Sequence, residues 1–197
     1  MKQQIIYFLL FFNFSLIAQT IKVQPYIQDI TSATVYIMWE TTSGDEATVE
    51  WGLTGDLGNS TLGNSFNSSD AISKMHEVHL VGLTPDTKYF YRVKTGTVVS
   101  QTFRFRTAPS NNSEKSFKFA VVSDTQFDGG NPDKFHEINH EGILNYFSQK
   151  YGGSIEDNLS LILTTGDLVN SGNTYSEWQQ YYFGPATDVL QYICNFP

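Results

Sequence analysis

Two aspartates stand directly after apolar segments of the sequence, in positions that suit metal-ligating residues. Asp124 ends residues 117–124, and Asp167 follows residues 159–166. Both segments are rich in apolar and β-branched residues, as buried parallel strands are, so each acid is expected at the carboxyl end of a strand. Either aspartate alone also fits an ordinary loop. Together they can share one metal ion or hold two ions about 3.5–4 Å apart, an arrangement that promotes hydrolysis of phosphate esters.

The segments around these acids predict an α/β unit. A first helix is expected to begin at the N-cap residue Asn131 and to end at a pair of glycines. A second helix is expected to begin at Thr174, with Glu177 completing a capping box. Residues 191–197 would start a third strand. Residues 116–197 are therefore predicted to form the first β-α-β-α part of an α/β domain, which is incomplete.

Residues 20–108 carry the pattern of an all-β unit, so the predicted fold class is multidomain. Turn chemistry separates short stretches with strand-like composition, which is typical of an antiparallel sandwich. Residues 55–71 are rich in Gly, Asn and Ser and predict a long loop or a weak edge strand. Residues 109–115 are polar and contain proline, as linkers do. The predicted strands are 21–28, 33–40, 48–51, 75–81, 88–94 and 102–107.

Both units resemble known families. The sequence Leu-Thr-Pro-Asp-Thr-Lys-Tyr-Phe-Tyr-Arg-Val at 83–93 resembles the tyrosine-corner strand of fibronectin type III domains, and Trp39 stands where such a sandwich keeps a buried tryptophan. Asp-Thr-Gln at 124–126 and Gly-Asp-Leu-Val-Asn-Ser-Gly at 166–172 resemble the first metal-binding blocks of calcineurin-like metallophosphoesterases. With the fibronectin-like unit ahead, the chain resembles purple acid phosphatases and their bacterial relatives.

This resemblance implies a metal-dependent phosphoric ester hydrolase that uses two divalent or trivalent metal ions, Fe, Zn, Mn or Mg. It implies that Asp124 binds one ion and that Asp167 bridges both. Gln126 stands where the family has histidine, and Asn170 stands where the purple enzymes have tyrosine, so their amide oxygens are weaker candidate ligands. The family's later Gly-Asn-His and histidine blocks do not follow. We therefore expect a fragment that holds no catalytic residue of its own and is inactive alone.

The amino terminus predicts export. Residues 1–18 combine Lys2, an apolar run and the small residue Ala18, as a secretory signal peptide does, and the run is too short for a comfortable membrane span. A secreted or periplasmic location and no stable membrane span follow; an uncleaved anchor is the alternative. Removing this segment leaves 11 basic and 20 acidic side chains, a net charge of −9. Such a charge disfavours nucleic acid as a general partner, whereas a phosphate ester is the expected substrate. The oligomeric state is left open.

Histidines offer a rival metal site. The string His136-Glu137-Ile-Asn-His140 matches the zinc-protease motif, which places two histidines on one helix face beside a glutamate base. Its third ligand would have to be Glu156 or Glu177, and neither has a supporting motif. A solvated helix face is the favoured interpretation. On a predicted strand, His76 and His79 are three residues apart and point to opposite faces, so we do not expect them to form a metal pair.

A third class of function is non-enzymatic. The fibronectin-like unit suits an exported module that binds a partner or a carbohydrate. Metal content distinguishes the two, because a binding module needs no ion while the paired aspartates imply at least one.

Overall fold

The computed structural model describes residues 18–196, so the predicted signal peptide lies outside the described residues apart from Ala18. The first part of the chain forms two antiparallel sheets that pack against each other around one core. One sheet has the order β1-β2-β6-β5, made of Ile21–Gln28, Thr34–Thr41, Lys74–Val81 and Asn64–Asn67. The other has the order β4-β3-β7-β8, with β9 also on β7, made of Asn59–Leu62, Thr48–Gly52, Lys88–Thr95, Val98–Val99 and Phe103–Arg106.

The sandwich core follows from alternation along the strands, most clearly in β2 before Glu40 and in β7. Val35, Ile37 and Trp39 occupy alternate positions of β2 and are fully buried, because alternate residues of a strand share one face. The Trp39 indole N–H donates to the Thr95 hydroxyl at 2.9 Å, which satisfies its one polar atom. The Tyr89 hydroxyl accepts a hydrogen bond from the backbone N–H five residues earlier, at 2.9 Å, so the predicted tyrosine corner is present.

The Gly/Asn/Ser-rich stretch 55–71 contains two short edge strands, β4 and β5. The weak-edge-strand alternative of the prediction is therefore the one observed. Residues of low β-propensity are tolerated there because an edge strand is paired on one side only and buries little of its surface.

The two strand histidines point to opposite faces of β6, as expected, and do not form a metal pair. His76 is fully buried between the hydroxyls of Thr41 and Ser65, at 2.7 and 2.6 Å. His79 is exposed and stacks on Tyr36, with ring centroids 4.1 Å apart. Burial lowers the pKa of His76 from 6.5 to about 4.

This buried imidazole predicts a loss of stability in weak acid. The unfolded chain takes up a proton near pH 6.5, whereas folded His76 takes none until about pH 4, so the free energy of unfolding falls as pH decreases between these values. We expect a decrease of about 2 kcal/mol from pH 7 to pH 5. Urea unfolding at both pH values measures it. His76→Asn should lose most of this pH dependence and His79→Asn should keep it; equal slopes in the two variants would contradict the assignment.

The second part of the chain holds a three-stranded parallel sheet in the order β10-β11-β12, made of Phe119–Val122, Leu161–Thr164 and Asn195–Phe196. Between β10 and β11 a continuous helix runs from α1 through a π-helical segment, π1, into α2, and a 3₁₀ turn follows. A second helix precedes β12 and consists of α3, a π-helical segment π2, and α4. In the first helix, α1 is Lys134–Glu137, π1 is Ile138–Asn145 and α2 is Tyr146–Tyr151, and the 3₁₀ turn is Ile155–Asp157. In the second helix, α3 is Tyr175–Glu177, π2 is Trp178–Phe183 and α4 is Gly184–Leu190.

The helix ends agree with the sequence only in part. The first helix begins after Asp133 rather than Asn131, whose side chain instead donates to Glu137 at 3.1 Å. It ends at Gly152 in a left-handed conformation, as predicted. Thr174 precedes the second helix as its N-cap, but it makes no side-chain cap bond. The Glu177 carboxylate accepts from an earlier loop N–H at 2.9 Å, so the predicted capping box does not form.

The helices cover one face of the parallel sheet. Ile143, Phe147 and Val189 pack with Ile162 of β11, and Ala120 of β10 borders the same cluster. The opposite face exposes large apolar side chains at 37–61% of their surface: Phe117, Phe119, Val121 and Leu163. Parallel sheets are usually covered on both faces, so this face is unusually open.

The two parts of the chain share buried side chains. Cys194, just before β12, belongs to the sandwich core, and the Tyr91 hydroxyl of β7 donates to the Gln191 carbonyl oxygen at 2.8 Å. Burial raises the pKa of the Cys194 thiol to about 11. On the other side, Val23 and Tyr26 of β1 pack with Tyr182 and its helix. The parallel sheet of the second part is thus packed against the sandwich.

Two buried carboxylates also contact residues of the other part of the chain. Glu40 of β2 accepts from Tyr175 and Gln179 of the second helix. Glu156 of the 3₁₀ turn lies 3.3 Å from Lys88 and 3.0 Å from Arg104. No helix among residues 18–196 is long and apolar enough to cross a membrane.

Candidate metal centre

The loops that follow β10 and β11 are joined to each other by backbone hydrogen bonds. The pairing of Val122 with Thr164 ends the parallel ladder. Beyond it, the Asp124 N–H donates to the Gly166 carbonyl at 3.3 Å, and the Gln126 N–H donates to the Asp167 carbonyl at 2.9 Å. These bonds make Asp124 and Asp167 neighbours at the carboxyl end of the sheet, as the sequence predicts.

Both aspartates adopt a backbone conformation that most residues avoid. Asp124 has φ 54° and Asp167 has φ 51°, which is the left-handed region. Aspartate tolerates this region better than most side chains, yet it still carries strain. Strained backbone persists where its surroundings enforce it and is concentrated at functional sites. Among the described residues after 108, Asp124 and Asp167 are the two non-glycine residues with positive φ; Asp29, Leu57, Ala71 and Asp86 share this conformation in the first part of the chain.

Neighbouring side chains leave the carboxylates available. Asp124 accepts one hydrogen bond, from the Ser123 hydroxyl at 2.6 Å. Within residues 18–196 neither Asp124 nor Asp167 forms an ion pair, and the Asp167 carboxylate accepts no side-chain hydrogen bond. Both residues are exposed to solvent. Sequence reasoning missed Ser123, although a hydroxyl directly before the aspartate could have signalled a group that positions it.

Gln126 and Asn170 flank the pair and differ in their contacts. The Gln126 side-chain oxygen is buried without a hydrogen-bond partner among the described residues. Such an atom costs about 1–3 kcal/mol unless something satisfies it. The Asn170 amide donates to the Phe127 carbonyl at 3.2 Å, which holds the side chain beside the same loop. Gln126 and Asn170 thus lie on the loops that carry the two aspartates, and their role as ligands stays a prediction.

The donor set fits a hard metal ion. Two carboxylates and the unpartnered amide oxygen of Gln126 are oxygen ligands, which suit Mg²⁺, Mn²⁺ and iron better than soft, thiol-preferring ions. In the described part of the chain, no three or more His, Cys, Asp or Glu side chains are arranged to hold a metal ion. The candidate centre thus consists of two acids supplemented by amides.

The candidate centre is an open surface rather than a cavity. A cavity of about 290 Å³ lies at the opposite end of the parallel sheet, between the two parts of the chain. Lys118, Leu161 and Ile193, at or near the starts of the three strands, line it, and neither aspartate does. The cavity is therefore not the place where the aspartates would act.

The zinc-protease string does not assemble its predicted parts. Its proposed base, Glu137, accepts from Asn131 at 3.1 Å. Of the two proposed third ligands, Glu156 is buried beside Lys88 and Arg104, and Glu177 is held by a loop N–H. Instead, His140 Nε2 lies 3.1 Å from the Asp188 carboxylate. This geometry does not support a protease.

Comparison with known proteins identifies the first part of the chain. Residues 21–107 match the family described as the purple acid phosphatase, N-terminal domain. No curated protein matches the sequence of the chain.

Solved structures extend the comparison to the fold. A structure described as "Structure of PhoD" superposes with a TM-score of 0.58 at 15% identity, covering 89% of this chain and 38% of that chain. The likeness reaches beyond residues 21–107, and at this identity it shows the fold alone. The sensor domain of the anti-sigma factor RsgI4 in Pseudobacteroides cellulosolvens matches with a TM-score of 0.38 and 16% identity, over 50% of this chain and 100% of that one. That score is too low to bear on the assignment.

Proposed function

We propose that this chain, whose first domain is a purple acid phosphatase-like N-terminal domain, carries part of the metal centre of a metal-dependent phosphoric ester hydrolase. The observation that carries the proposal is the joining of the two strand-end loops, which makes Asp124 and Asp167 neighbours. Two available carboxylates, and an amide oxygen without a partner on the same loop, are groups that a metal ion would satisfy.

Each residue has a task in this proposal. Asp124 and Asp167 would hold the metal ions, with Asp167 shared between two. The Ser123 hydroxyl fixes one oxygen of Asp124, and Gln126 and Asn170 would supplement the ligand set. When bound, two metal ions would polarise a phosphate ester and lower the pKa of coordinated water. We do not assign a general acid or base to this chain.

The sandwich domain supports the proposed metal centre structurally. Buried contacts such as Tyr91 to Gln191 and Glu40 to Gln179 hold the second part of the chain in place. A ligand set works only if its members are held within a fraction of an ångström, so packing of the second part against the sandwich favours the metal centre. A pure binding module gives no reason for two neighbouring carboxylates without an ion-pair partner among the described residues. The metal centre is therefore the function that we favour.

Phosphate binding tests the substrate class. We expect the Mn²⁺-loaded chain to broaden the ³¹P resonance of inorganic phosphate more than the same concentration of free Mn²⁺ does, because phosphate oxygens would bind beside the ion. The double variant Asp124→Asn/Asp167→Asn should lose this excess broadening. Asp56→Asn, the same chemical change on an exposed loop of the first domain, is the matched control and should keep it. Equal broadening by the double variant and the wild type would contradict the proposal.

A further inference from the structure

The imidazoles of His136 and His140 form a compact pair on the first helix. They are four residues apart, so they share one helix face, and their ring centroids are 4.0 Å apart at an interplanar angle of 30°. His136 is exposed and His140 is half-buried. The two stacked imidazoles therefore bring their ring nitrogens together in one small patch of the helix surface.

A carboxylate from another helix lies close to one of these rings. Asp188 of α4 lies with its Oδ2 3.1 Å from His140 Nε2. Histidines that bind metals almost always direct their second ring nitrogen to a carboxylate or carbonyl, which fixes the tautomer and the ring orientation. With Nε2 facing Asp188, Nδ1 is the His140 ring nitrogen that is left to bind a metal ion.

We propose that His136 and His140 bind one nitrogen-preferring divalent ion, such as Zn²⁺, Ni²⁺ or Cu²⁺, with Asp188 as the residue that positions His140. Two protein nitrogens and solvent would complete the coordination. Imidazole suits these ions, whereas Mg²⁺ and Mn²⁺ prefer oxygen. The site therefore differs in ion preference from the aspartate pair.

The neighbouring groups restrict this site to binding. Glu137, the only carboxylate between the two histidines in the sequence, is held by the Asn131 amide. Asn139 is buried and donates to the Phe135 carbonyl at 2.7 Å, so it faces away from solvent. No base is thus directed at an ion on the histidine pair, and hydrolytic chemistry is not expected there.

Titration with Zn²⁺ tests the proposal on the full chain in the Asp124→Asn/Asp167→Asn background, which removes the carboxylate pair from the comparison. ¹⁵N resonances of the imidazole rings report on binding. We expect the rings of His136 and His140 to shift with one equivalent of Zn²⁺, and those of His76 and His79 to stay unchanged. His136→Gln or His140→Gln should abolish the shift, and Asp188→Asn should weaken Zn²⁺ affinity about 10–100-fold.

His79→Gln is the matched control, because His79 is also an exposed, stacked histidine. It should leave Zn²⁺ affinity unchanged. Zn²⁺ binding that survives His136→Gln, or absence of any ring shift at millimolar Zn²⁺, would overturn the proposal. Because the aspartate pair is already removed, neither result depends on the proposed phosphoesterase centre.

Discussion

Replacing Glu40 with alanine is expected to lower the free energy of unfolding by about 3–5 kcal/mol, which is the usual cost of breaking a buried ion pair. Glu40 is fully buried, 3.4 Å from the Lys22 ammonium, and accepts two hydrogen bonds from the Gln179 amide at 3.1 and 3.0 Å. It also accepts from the Tyr175 hydroxyl. Burial, followed by this bond to Glu40, raises the pKa of Tyr175 above its ordinary value.

The size of the effect comes from the groups that Glu40→Ala leaves behind. The Gln179 amide and the Tyr175 hydroxyl, both half-buried, lose their acceptor, and Lys22 loses its counter-charge. The contacts also join β2 to the second helix, so part of the attachment between the two parts of the chain is lost. Denaturant unfolding followed by circular dichroism measures the change.

Glu46→Ala is the matched control for this experiment. Glu46 pairs with Lys94 at 3.1 Å, but the two side chains are 37% and 40% exposed, whereas Glu40 is fully buried. Exposed ion pairs contribute about 0–1 kcal/mol, so this variant should unfold almost as the wild type does. If Glu40→Ala and Glu46→Ala destabilise the chain equally, the buried attachment is not a major source of stability.

The second large effect is expected at Tyr91, where alanine should cost about 3–5 kcal/mol, as truncation of buried aromatic side chains does. The Tyr91 ring is fully buried and packs against Phe103 and Phe105, with centroids 5.8 Å apart in each case. Its hydroxyl donates to the Gln191 carbonyl across 100 residues of sequence. The variant thus removes core volume and a bond to the second part together.

Tyr91→Phe separates these two contributions. It keeps the ring and removes only the hydroxyl, which leaves one buried carbonyl without its donor and should cost about 1–3 kcal/mol. Thermal unfolding of both variants provides the measurement. A Tyr91→Phe variant as unstable as Tyr91→Ala would assign the effect to the hydrogen bond, and a Tyr91→Ala variant close to the wild type would refute the shared core.

Local sequence patterns were sufficient to predict the structure of segments whose main contacts are local. Alternation in β2 predicts which residues are buried, and spacing alone predicts the bond that Tyr89 makes to its own loop. The parallel strands before Asp124 and Asp167 follow from continuous apolar runs of strand length. In each case the decisive contacts are close in sequence or repeat with a strand's period.

Contacts between distant segments could not be predicted in this way. Glu40 alternates with buried residues of β2, so its sequence position indicates an exposed acid, and only the packed second helix explains its burial. The pairing of His140 with Asp188 depends on how two helices lie side by side. The helix start also moved past Asn131, because Asn131 forms a turn bond with Asp128 instead of capping.

The aspartate pair lies between these cases. The sequence predicts that both acids follow neighbouring strands, but the bonds from Asp124 to Gly166 and from Gln126 to Asp167 depend on strand register. The left-handed conformation of both residues has no signature in the sequence. The placement of both acids after neighbouring strands was thus predictable from residue type and position, whereas the backbone geometry around them was not.

Binding of Mn²⁺ tests the central claim most directly, because Mn²⁺ prefers oxygen ligands and its free form is counted by electron paramagnetic resonance. The account predicts that the chain binds Mn²⁺ and that Asp124→Asn and Asp167→Asn each weaken binding at least tenfold. The exposed-loop control Asp56→Asn and the histidine variant His136→Gln should bind as the wild type does. Unchanged Mn²⁺ affinity in both strand-end variants would contradict a metal centre at Asp124 and Asp167.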